Sequence, residues 1–436
     1  MGYEILKKKI NAKSANIGII GLGYVGLPLA MCFAKSGFKV KGFETDKTKV
    51  KQLSVGKSYI NHISDESIKL LLKKKFRATT TFSEIAQMDA IIVCVPTPIN
   101  IKKEPDLRYI NDSINSIKNF LRQDQLISLE STTYPGTTEE KILPYIKKLN
   151  LNVGKNFFLI YSPEREDPGN KKFNTKNTPK IVSGFSENCK KMGELLYKNI
   201  ADEVVVVSSL KVAEFTKLME NIHRSVNIGL VNEMKIIASK MGIDIHESIQ
   251  AASTKPFGFT AYYPGPGVGG HCIPVDPYYL LWKAKKCNLK SNIIKSAVAV
   301  NDNMPIHIFK KIKEILQQKK INFSNAEILL LGAAYKKNID DIRESPTLKI
   351  LPHLIKAGLK VKYSDPYVAK LSIKYNKKKI IYKSIKLNKK EISRFDLVII
   401  LTAHDLFDYK LIYNNARLIA DTRNVINFKD SKVIKI

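Results

Sequence analysis

A glycine-rich loop that ends in a cysteine carries the clearest signs of chemistry in this sequence. Residues 265–276 read GPGVGGHCIPVD, so Cys272 directly follows the loop and Asp276 comes four residues later. Glycines let backbone amides approach a ligand closely, and a cysteine in this position is placed to act as a nucleophile. If a helical turn begins there, which Pro274 permits, Cys272 and Asp276 lie on one side of it. A lone cysteine can also be a small buried hydrophobic residue, and that alternative stays open at this point.

A second pattern, near the amino terminus, is typical of dinucleotide binding. Gly21, Gly23 and Gly26 form a GxGxxG pattern between a predicted strand and a predicted helix. Glu44 ends the next predicted strand, where a carboxylate accepts hydrogen bonds from the ribose hydroxyls and disfavours a 2′-phosphate. These features predict NAD as the cofactor, although Lys49 would weaken the preference over NADP. The predicted cofactor-binding residues of this region are Gly21, Gly23, Tyr24, Val25, Gly26, Glu44, Lys49 and Thr97.

The elements that position these residues alternate in an α/β pattern. Helix-favouring sequence separates several of the short apolar runs, as in a parallel sheet. Thr97 follows one such run, which would place it at the carboxyl edge of the sheet, where ligands bind. The predicted strands are residues 16–20, 39–43, 90–95, 125–129, 157–161, 181–183 and 204–207.

After Ser209 the strand signal ends and helix-favouring sequence begins. Residues 211–241 favour one long helix, and another helix is predicted from the end of the cysteine loop to about Asp302. A second α/β region follows, with predicted strands at residues 328–332, 360–363, 397–401 and 418–420. The predicted fold class is therefore α/β, with two Rossmann-like parallel-sheet domains joined by a long central helix and a helical middle domain. The predicted domains are residues 1–209, 210–320 and 321–436.

Composition and charge argue against several classes of protein. Lysine and arginine total 72 against 40 acidic residues, but the lysines are scattered and no nucleic-acid-binding motif accompanies them, so no nucleic-acid partner is predicted. Five cysteines without paired spacing indicate neither a disulfide framework nor a metal site. The most apolar window, residues 17–34, contains four glycines and a proline, so no membrane partner is predicted. A reducing cytoplasm is the expected location.

Several motifs follow one another along nearly the whole chain. They are GLGYVGLP at 21–28, ESTTYPGTT at 130–138, YSPER at 161–165, KLMEN at 217–221, the cysteine loop, KK at 336–337, RESP at 343–346 and DTRN at 421–424. In this order they resemble the UDP-glucose/GDP-mannose dehydrogenase family, in particular its bacterial branch that acts on UDP-N-acetylhexosamines. The resemblance implies an NAD-dependent oxidoreductase in the synthesis of polysaccharide precursors. It also implies a homodimer, for which the long helix and the central domain would supply the interface.

The resemblance implies two successive hydride transfers to NAD, which oxidise C6 of a UDP-sugar from alcohol to aldehyde to acid. Cys272 would hold the aldehyde as a thiohemiacetal, and the second oxidation would give a thioester that water cleaves. Lys217 and Asn221, four residues apart on one helical face, would stabilise the developing oxyanion. Lys217 or Asp276, through water, would serve in the first deprotonation. The predicted catalytic residues are Cys272, Lys217, Asn221, Asp276, Glu164 and Thr132, the last two as the pair that positions and activates the hydrolytic water.

The same resemblance assigns residues to ligand binding. Lys336 and Arg423, in the predicted UDP-sugar-binding domain at 321–436, would meet the nucleotide, while Arg343 and Thr132 would approach the cofactor. The predicted substrate-binding residues are Glu164, Arg165, Lys217, Asn221, Tyr263, Gly269, His271, Lys336 and Arg423. His271 before the cysteine and Val275 before the aspartate are typical of the N-acetylhexosamine branch. We therefore expect UDP-N-acetylglucosamine 6-dehydrogenase activity, with the mannosamine and galactosamine epimers and UDP-glucose as alternatives.

Two other functions remain as rivals. A 6-phosphogluconate-like or hydroxyacid dehydrogenase also places a lysine and an asparagine on a helix after the Rossmann domain, but it needs no cysteine. A nucleotide-binding regulatory protein without activity would keep the fold and need none of the six predicted catalytic residues. Loss of turnover on replacing Cys272 separates the first rival from the thioester route, and NADH production separates the second.

Overall fold

The chain forms two compact units. The computed structural model describes residues 2–60, 63–165, 172–376, 378–428 and 430–436. The first unit contains the residues up to Glu220 together with Tyr278–Leu289. The second contains Asn221–Pro277 together with Lys290–Ile436. Each unit has its own sheet and its own buried hydrophobic clusters.

The first unit is built on one large sheet. Its strands are β1 (Asn16–Ile20), β2 (Lys39–Phe43), β3 (Phe76–Thr79), β4 (Ala90–Val93), β5 (Gln125–Leu129), β6 (Phe157–Tyr161), β7 (Lys180–Gly184) and β8 (Val204–Val206). Within the described residues their order is β3-β2-β1-β4-β5-β6-β7-β8. Neighbours are parallel except β6 and β7, which are antiparallel. The first six positions have the strand order of a Rossmann fold, with the switch point between β1 and β4, which confirms the predicted domain type.

Helices cover this sheet. They are α1 (Gly2–Asn11), α2 (Gly26–Lys35), α3 (Lys47–Ser54), α4 (Asp65–Lys73), α5 (Arg108–Ile117), α6 (Thr137–Lys141), α7 (Leu143–Lys148) and α8 (Glu187–Tyr197). Because helices pack on both faces, β4, β5 and β6 are buried along their whole length and consist of nearly continuous apolar residues. Strand β3 was not predicted, since only its first residue is fully buried and the apolar signal is correspondingly short.

Four helices follow before the second sheet. They are α9 (Leu210–Lys240), which begins in the first unit and continues into the second, α10 (Ile245–Ala252), α11 (Asp276–Lys286) and α12 (Asn292–Gln318). The single helix predicted to run to about Asp302 is wrong, because the structure has α11 and α12 instead. Asn288 adopts a left-handed conformation (φ 59°), and the amide of Leu289 donates to the carbonyl of Ala284, which ends α11 in a Schellman-type cap.

The second unit carries a smaller sheet. Its strands are β9 (Glu327–Leu331), β10 (Lys360–Ser364), β11 (Lys370–Tyr375), β12 (Lys378–Lys383), β13 (Leu397–Ile400), β14 (Ile419–Asp421) and β15 (Val433–Lys435). In the part of the chain that the structure describes, five of them form a parallel sheet in the order β10-β9-β13-β14-β15, and β11 pairs with β12 in a separate hairpin. The parallel order corresponds to 2-1-3-4-5, a doubly wound arrangement with its switch point between β9 and β13. This confirms the predicted second Rossmann-like domain, whereas the hairpin was not predicted.

The helices of the second sheet are α13 (Pro346–Lys356), α14 (Lys389–Ser393) and α15 (Tyr409–Asn415). Apolar residues of β9 and β13 are fully buried and contribute to the clusters on both faces of the sheet. Among the described residues, no helix combines the length and the apolar character that crossing a membrane requires.

Candidate active site

The glycine pattern after β1 shapes the predicted cofactor loop of the first unit. Gly21 has φ 88°, and a Cβ atom there would lie 2.6 Å from the carbonyl oxygen of Cys94. A Cβ atom at Gly26, the first residue of α2, would overlap the carbonyl oxygen of Gly21. At Gly23 a Cβ atom would meet nothing within 4 Å, so this residue faces open space. The loop thus combines two packed glycines with one that leaves room for a pyrophosphate, as the fingerprint requires.

The predicted ribose-binding acid, Glu44, is buried and fixed by hydrogen bonds. Glu44 accepts hydrogen bonds from the amides of Leu22, at 3.2 Å, and of Thr45, at 2.9 Å. The ammonium group of Lys49 lies 3.6 Å from the same carboxylate. Tyr59 donates its hydroxyl to the carbonyl of Leu22 and lies under Lys49. The carboxylate is therefore fixed at the end of β2, next to the GxGxxG loop, where it would meet a ribose.

The remaining predicted cofactor residues of the first unit lie around the same edge. Tyr24 and Val25 are half-buried and precede α2, while Thr97 is buried in the segment that follows β4. Since β1 and β4 flank the switch point of the sheet, their carboxyl ends open onto the crevice in which ligands bind in such folds. These positions fit a dinucleotide.

Three predicted catalytic residues lie in the first unit, on segments tied to one another by hydrogen bonds. Thr132 lies in the segment after β5, Glu164 in the segment after β6, and Lys217 on α9, where its side chain is buried. Glu214, one turn before Lys217, accepts hydrogen bonds from the amide and hydroxyl of Thr138 at 2.9 and 2.7 Å. Arg165, next to Glu164, forms an ion pair of 2.6 Å with Glu220 on α9. The start of α9 is thus bonded to α6, which follows the Thr132 segment, and to the segment that carries Glu164.

A buried ionic cluster next to Glu164 includes residues to which sequence reasoning assigned no role. Lys180 donates to Glu130 at 2.6 Å and to Glu164 at 3.3 Å, and Tyr197 donates to Glu130. Burial raises the pKa of Glu130 to about 7, although Lys180 opposes the shift. Burial also opposes the charge on Lys180, but the two carboxylates outweigh it and raise its pKa. The position of Glu130 directly after a strand was the signal that could have identified it.

In the second unit, Cys272 opens a turn that leads into α11. The amide of Asp276 donates to the carbonyl of Cys272 at 2.8 Å, so the two residues are one turn apart. Asn221 donates its side-chain amide to the Asp276 carboxylate at 2.6 Å, and Arg224 donates to the side-chain oxygen of Asn221 at 3.0 Å. Asn221 and Asp276 are buried, whereas Cys272 is half-buried. Within the second unit the structure therefore brings Asn221 of α9 into contact with Asp276, which lies one turn from Cys272.

The cysteine loop is anchored at several points within the second unit. The side-chain oxygen of Asn232 on α9 accepts the amide of Gly265 at 2.9 Å. The amide of Gly270 donates to the carbonyl of Arg343 at 2.8 Å. A Cβ atom at Gly269 would lie 2.5 Å from Tyr335, so only glycine fits there without displacement. A loop held in this way keeps the Cys272 backbone in one position, which a nucleophile needs.

The predicted nucleotide-binding residues follow strands of the second sheet. Lys336 comes after β9 and Arg423 after β14, at the carboxyl edge of parallel strands. The Arg423 guanidinium donates to the carbonyl of Leu401 at 2.8 Å, and burial lowers its pKa to about 10, which leaves it charged at neutral pH. A Cβ atom at Gly265 would lie 2.6 Å from this guanidinium, so the start of the cysteine loop passes close to Arg423.

Three further predicted residues of the second unit have defined surroundings. Burial lowers the pKa of His271 to about 4, and Arg343 adds to the shift, so the imidazole is neutral at physiological pH. Arg343, predicted to approach the cofactor, forms an ion pair with Asp341 at 2.7 Å. Tyr263 is exposed and stacks on His246 with ring centroids 6.1 Å apart.

Family models match the chain in three consecutive segments. They describe the NAD binding domain, the central domain and the UDP binding domain of the UDP-glucose/GDP-mannose dehydrogenase family, over residues 15–201, 211–303 and 329–428. The chain belongs to this family. It is therefore an oxidoreductase with an NAD-binding domain, which confirms the predicted family, enzyme class and cofactor.

Individual members of the family are similar over most of the chain. UDP-N-acetyl-D-glucosamine 6-dehydrogenase of Pseudomonas aeruginosa is 35% identical over 359 residues, which cover 82% of this chain and 84% of that protein. UDP-N-acetyl-D-mannosamine dehydrogenase of Methanocaldococcus jannaschii is 33% identical over 434 residues, 97% of this chain and 95% of that protein. The solved structure of UDP-D-ManNAc dehydrogenase from Pyrococcus horikoshii superimposes with a TM-score of 0.87 at 32% identity, covering 96% of this chain and 98% of that one.

Proposed function

We propose that this family member oxidises the C6 alcohol of a UDP-N-acetylhexosamine, most favourably UDP-N-acetylglucosamine, to the uronic acid. Relatives named for the glucosamine and the mannosamine substrates are about equally similar to the chain, so both support the substrate class. The mannosamine and galactosamine epimers and UDP-glucose are the alternatives. The observation that carries the proposal is Cys272 at the start of a turn that also contains Asp276, bonded to Asn221.

The chemistry needs a nucleophile because an aldehyde does not expel hydride until another group has added to it. Bound NAD accepts a hydride in each of the two oxidations. Between them, Cys272 adds through its sulfur to the aldehyde carbon and holds the substrate as a thiohemiacetal, which the second oxidation turns into a thioester. Asn221 donates a hydrogen bond near the reacting carbon and supports the oxyanion, and Asp276 or Lys217 takes the alcohol proton through water.

Hydrolysis of the thioester is assigned to residues of the first unit. Glu164 takes a proton from the attacking water, and Thr132 orients that water. Arg165 and Lys217 complete the predicted substrate contacts of this unit. Lys336 and Arg423 in the second unit are proposed to bind the nucleotide, with His271, Tyr263 and Gly269 along the sugar. The proposed domains remain those of the sequence: NAD binding (1–209), a central helical domain with the cysteine loop and the dimer interface (210–320), and UDP-sugar binding (321–436).

A homodimer is also proposed, on the strength of an exposed apolar stripe on α9 and the residue that follows it. Leu230, Met234, Ile237 and Met241 recur at helical spacing and are 47–67% exposed. A groove of about 390 Å³ between α9 and α12 runs beside them and is lined by Ile236, Ile237 and Met304, among others. Isolated exposed apolar residues are ordinary, but a continuous stripe indicates a protein interface. A cytoplasmic location belongs to the same proposal, since a nucleophilic thiol must stay reduced.

The decisive experiment measures NADH at 340 nm with purified protein, NAD and UDP-N-acetylglucosamine. The same assay is run with the other UDP-sugars and with the Cys272→Ser variant. We expect about two NADH per sugar consumed and loss of sustained turnover in the variant, because a serine alkoxide is far harder to generate than a thiolate. Cys287→Ser, at an exposed cysteine, is the matched control and should leave turnover unchanged. One NADH per sugar together with an active Cys272→Ser enzyme would indicate a simple alcohol dehydrogenase instead.

A further inference from the structure

The antiparallel strand β7 brings a lysine to the catalytic edge of the first sheet. Glu130 directly follows β5 and Glu164 follows β6, so both lie at the carboxyl edge of parallel strands. Because β7 runs against β6, its first residue, Lys180, lies at that edge as well. The register pairs Tyr161 with Ser183, and continued three residues further it sets Glu164 opposite Lys180. The reversal of one strand thus places a cation between two carboxylates.

The cluster is almost fully removed from solvent. The side chains of Lys180 and Glu130 are 3% and 0% exposed, and that of Glu164 is 11% exposed. Tyr197 on α8 donates its hydroxyl to Glu130 and lies 2.9 Å from the hydroxyl of Ser128. Charges in such surroundings interact strongly and are poorly screened, so each one strongly affects the ionisation and the orientation of the others.

The groups that face Glu164 come from several elements. Lys180 lies on β7, Glu130 follows β5, and Cys94 follows β4. Burial and the nearby Glu130 raise the pKa of the Cys94 thiol and keep it neutral. Tyr197 contributes from α8 and is kept neutral because burial raises its pKa. Within its own segment, the amide of Arg165 donates to Glu164 at 2.7 Å. The Arg165 guanidinium is engaged with the carbonyl of Pro179 and with Glu220.

We propose that Lys180 is a positioning residue for thioester hydrolysis, which orients the Glu164 carboxylate and keeps it ionised while Glu130 and Tyr197 hold the lysine in place. The proposal rests on the proposed function and deepens its last step. In that step the oxygen of water bonds to the acyl carbon and one of its protons passes to Glu164. The carbon–sulfur bond breaks, Cys272 leaves as a thiolate, and the new carboxylic acid loses its proton to solvent. In this role Lys180 acts only through Glu164.

The variants are chosen to separate positioning from folding. Lys180→Met leaves Glu130 without its cation in a buried site, and this variant alone is strongly destabilised or fails to fold. Lys180→Met combined with Glu130→Gln removes both members of the buried pair, so the fold is retained while Glu164 still lacks the cation. Lys180→Arg keeps the positive charge and is the conservative rescue. Lys190→Met, in a surface pair with Glu187 on α8, is the control for the same change of residue outside the cluster.

The measurement follows the first turnovers with NAD and UDP-N-acetylglucosamine, together with the intact mass of acid-quenched protein. In the double variant we expect the initial burst of NADH to persist while steady-state turnover falls about tenfold to a hundredfold. This loss is at or below the lower end of the range for general base catalysis, because Glu164 itself is retained. Protein carrying the covalent sugar acid should accumulate. The acid limb of the pH profile should move to higher pH because Glu164 loses a nearby opposite charge, but by less than about 1–3 units, since Glu130→Gln also removes a like charge. Lys180→Arg should restore most of the turnover, and Lys190→Met should match the wild type.

Two outcomes would overturn the proposal. In the first, the NADH burst and the steady-state rate of the double variant fall together and no covalent adduct accumulates, which would mean that the cluster only stabilises the fold. If the double variant keeps the wild-type rate and pH profile, Glu164 does not depend on Lys180. Failure of the proposed function is a different result, visible in the wild type as one NADH per sugar and in Cys272→Ser as retained turnover.

Discussion

The same added methyl group should have different effects at two glycines of the cofactor loop: it should weaken NAD binding at Gly23 and lower stability at Gly26. In Gly23→Ala the new Cβ atom meets no atom within 4 Å, so we expect the free energy of unfolding to change by no more than about 0.5 kcal/mol. The methyl group would, however, occupy the space through which a pyrophosphate approaches the backbone. A steric cost of about 2 kcal/mol corresponds to roughly thirtyfold weaker binding of NAD.

Gly26→Ala should instead damage the fold of the first unit. Its Cβ atom would overlap the carbonyl oxygen of Gly21 and lie 3.2 Å from the Cβ atom of Cys94. Helix α2 would have to move away from the sheet, and overpacking of this kind costs about 1–3 kcal/mol. With a urea dependence of about 2–3 kcal/mol per molar, the unfolding midpoint should fall by roughly 0.3–1.5 M.

The single tryptophan of the chain lies in the same unit as both glycines, so its fluorescence can report the change in stability and the change in NAD affinity. Trp282 belongs to the first unit, and its ring lies 4.9 Å from that of Tyr134. Urea unfolding followed by its fluorescence reports stability without cofactor, and titration with NAD reports affinity. If Gly23→Ala bound NAD like the wild type, no pyrophosphate would lie at this loop. If Gly26→Ala kept the wild-type midpoint, α2 would not pack as closely on the loop as the structure indicates.

Two further predictions concern Glu214 and the apolar stripe of α9. Burial raises the pKa of Glu214 from its ordinary 4.5 to about 7. The stability that the protonated side chain contributes is therefore complete below pH 4.5 and is lost as the pH rises to about 7. Over that interval the free energy of unfolding falls by about 1.4 kcal/mol per pH unit. In Glu214→Gln the urea midpoint reported by Trp282 should fall less steeply between pH 5 and 7, and equal slopes in both proteins would contradict this assignment. Ile237→Glu should convert the proposed dimer into monomers in light scattering, because the charge would be buried without a partner. Ser239→Glu, on the opposite side of α9, is the control for the added charge. If the Ile237→Glu variant remained dimeric, the interface would lie elsewhere.

Local patterns were sufficient wherever a residue and its partners are close in sequence. The GxGxxG loop needs only the strand before it and the helix after it, so Gly21, Gly23 and Gly26 were found from spacing alone. The turn from Cys272 to Asp276 spans four residues, and its hydrogen bond lies within them. Buried strands such as β5 and β6 consist of continuous apolar residues, which made them visible as well. The break between α11 and α12 was missed because a left-handed asparagine at position 288 gives little signal in a lysine-rich helix.

Other contacts depend on elements that are distant in sequence. Lys180 reads as one more lysine in a chain that contains 72 basic residues, and only the reversal of β7 buries it between Glu130 and Glu164. Glu214 reads as a surface acid of a long helix, yet it accepts the amides of Gly136 and Thr138, which are 78 and 76 residues away. The sequence by itself determined the family, through the order of its motifs, and it predicted the cofactor loop and Cys272 as the nucleophile, since each of these rests on local spacing. The tertiary structure decided which charged side chains are buried and paired, because pairing across strands and helices follows from sheet order and register, which no local pattern contains.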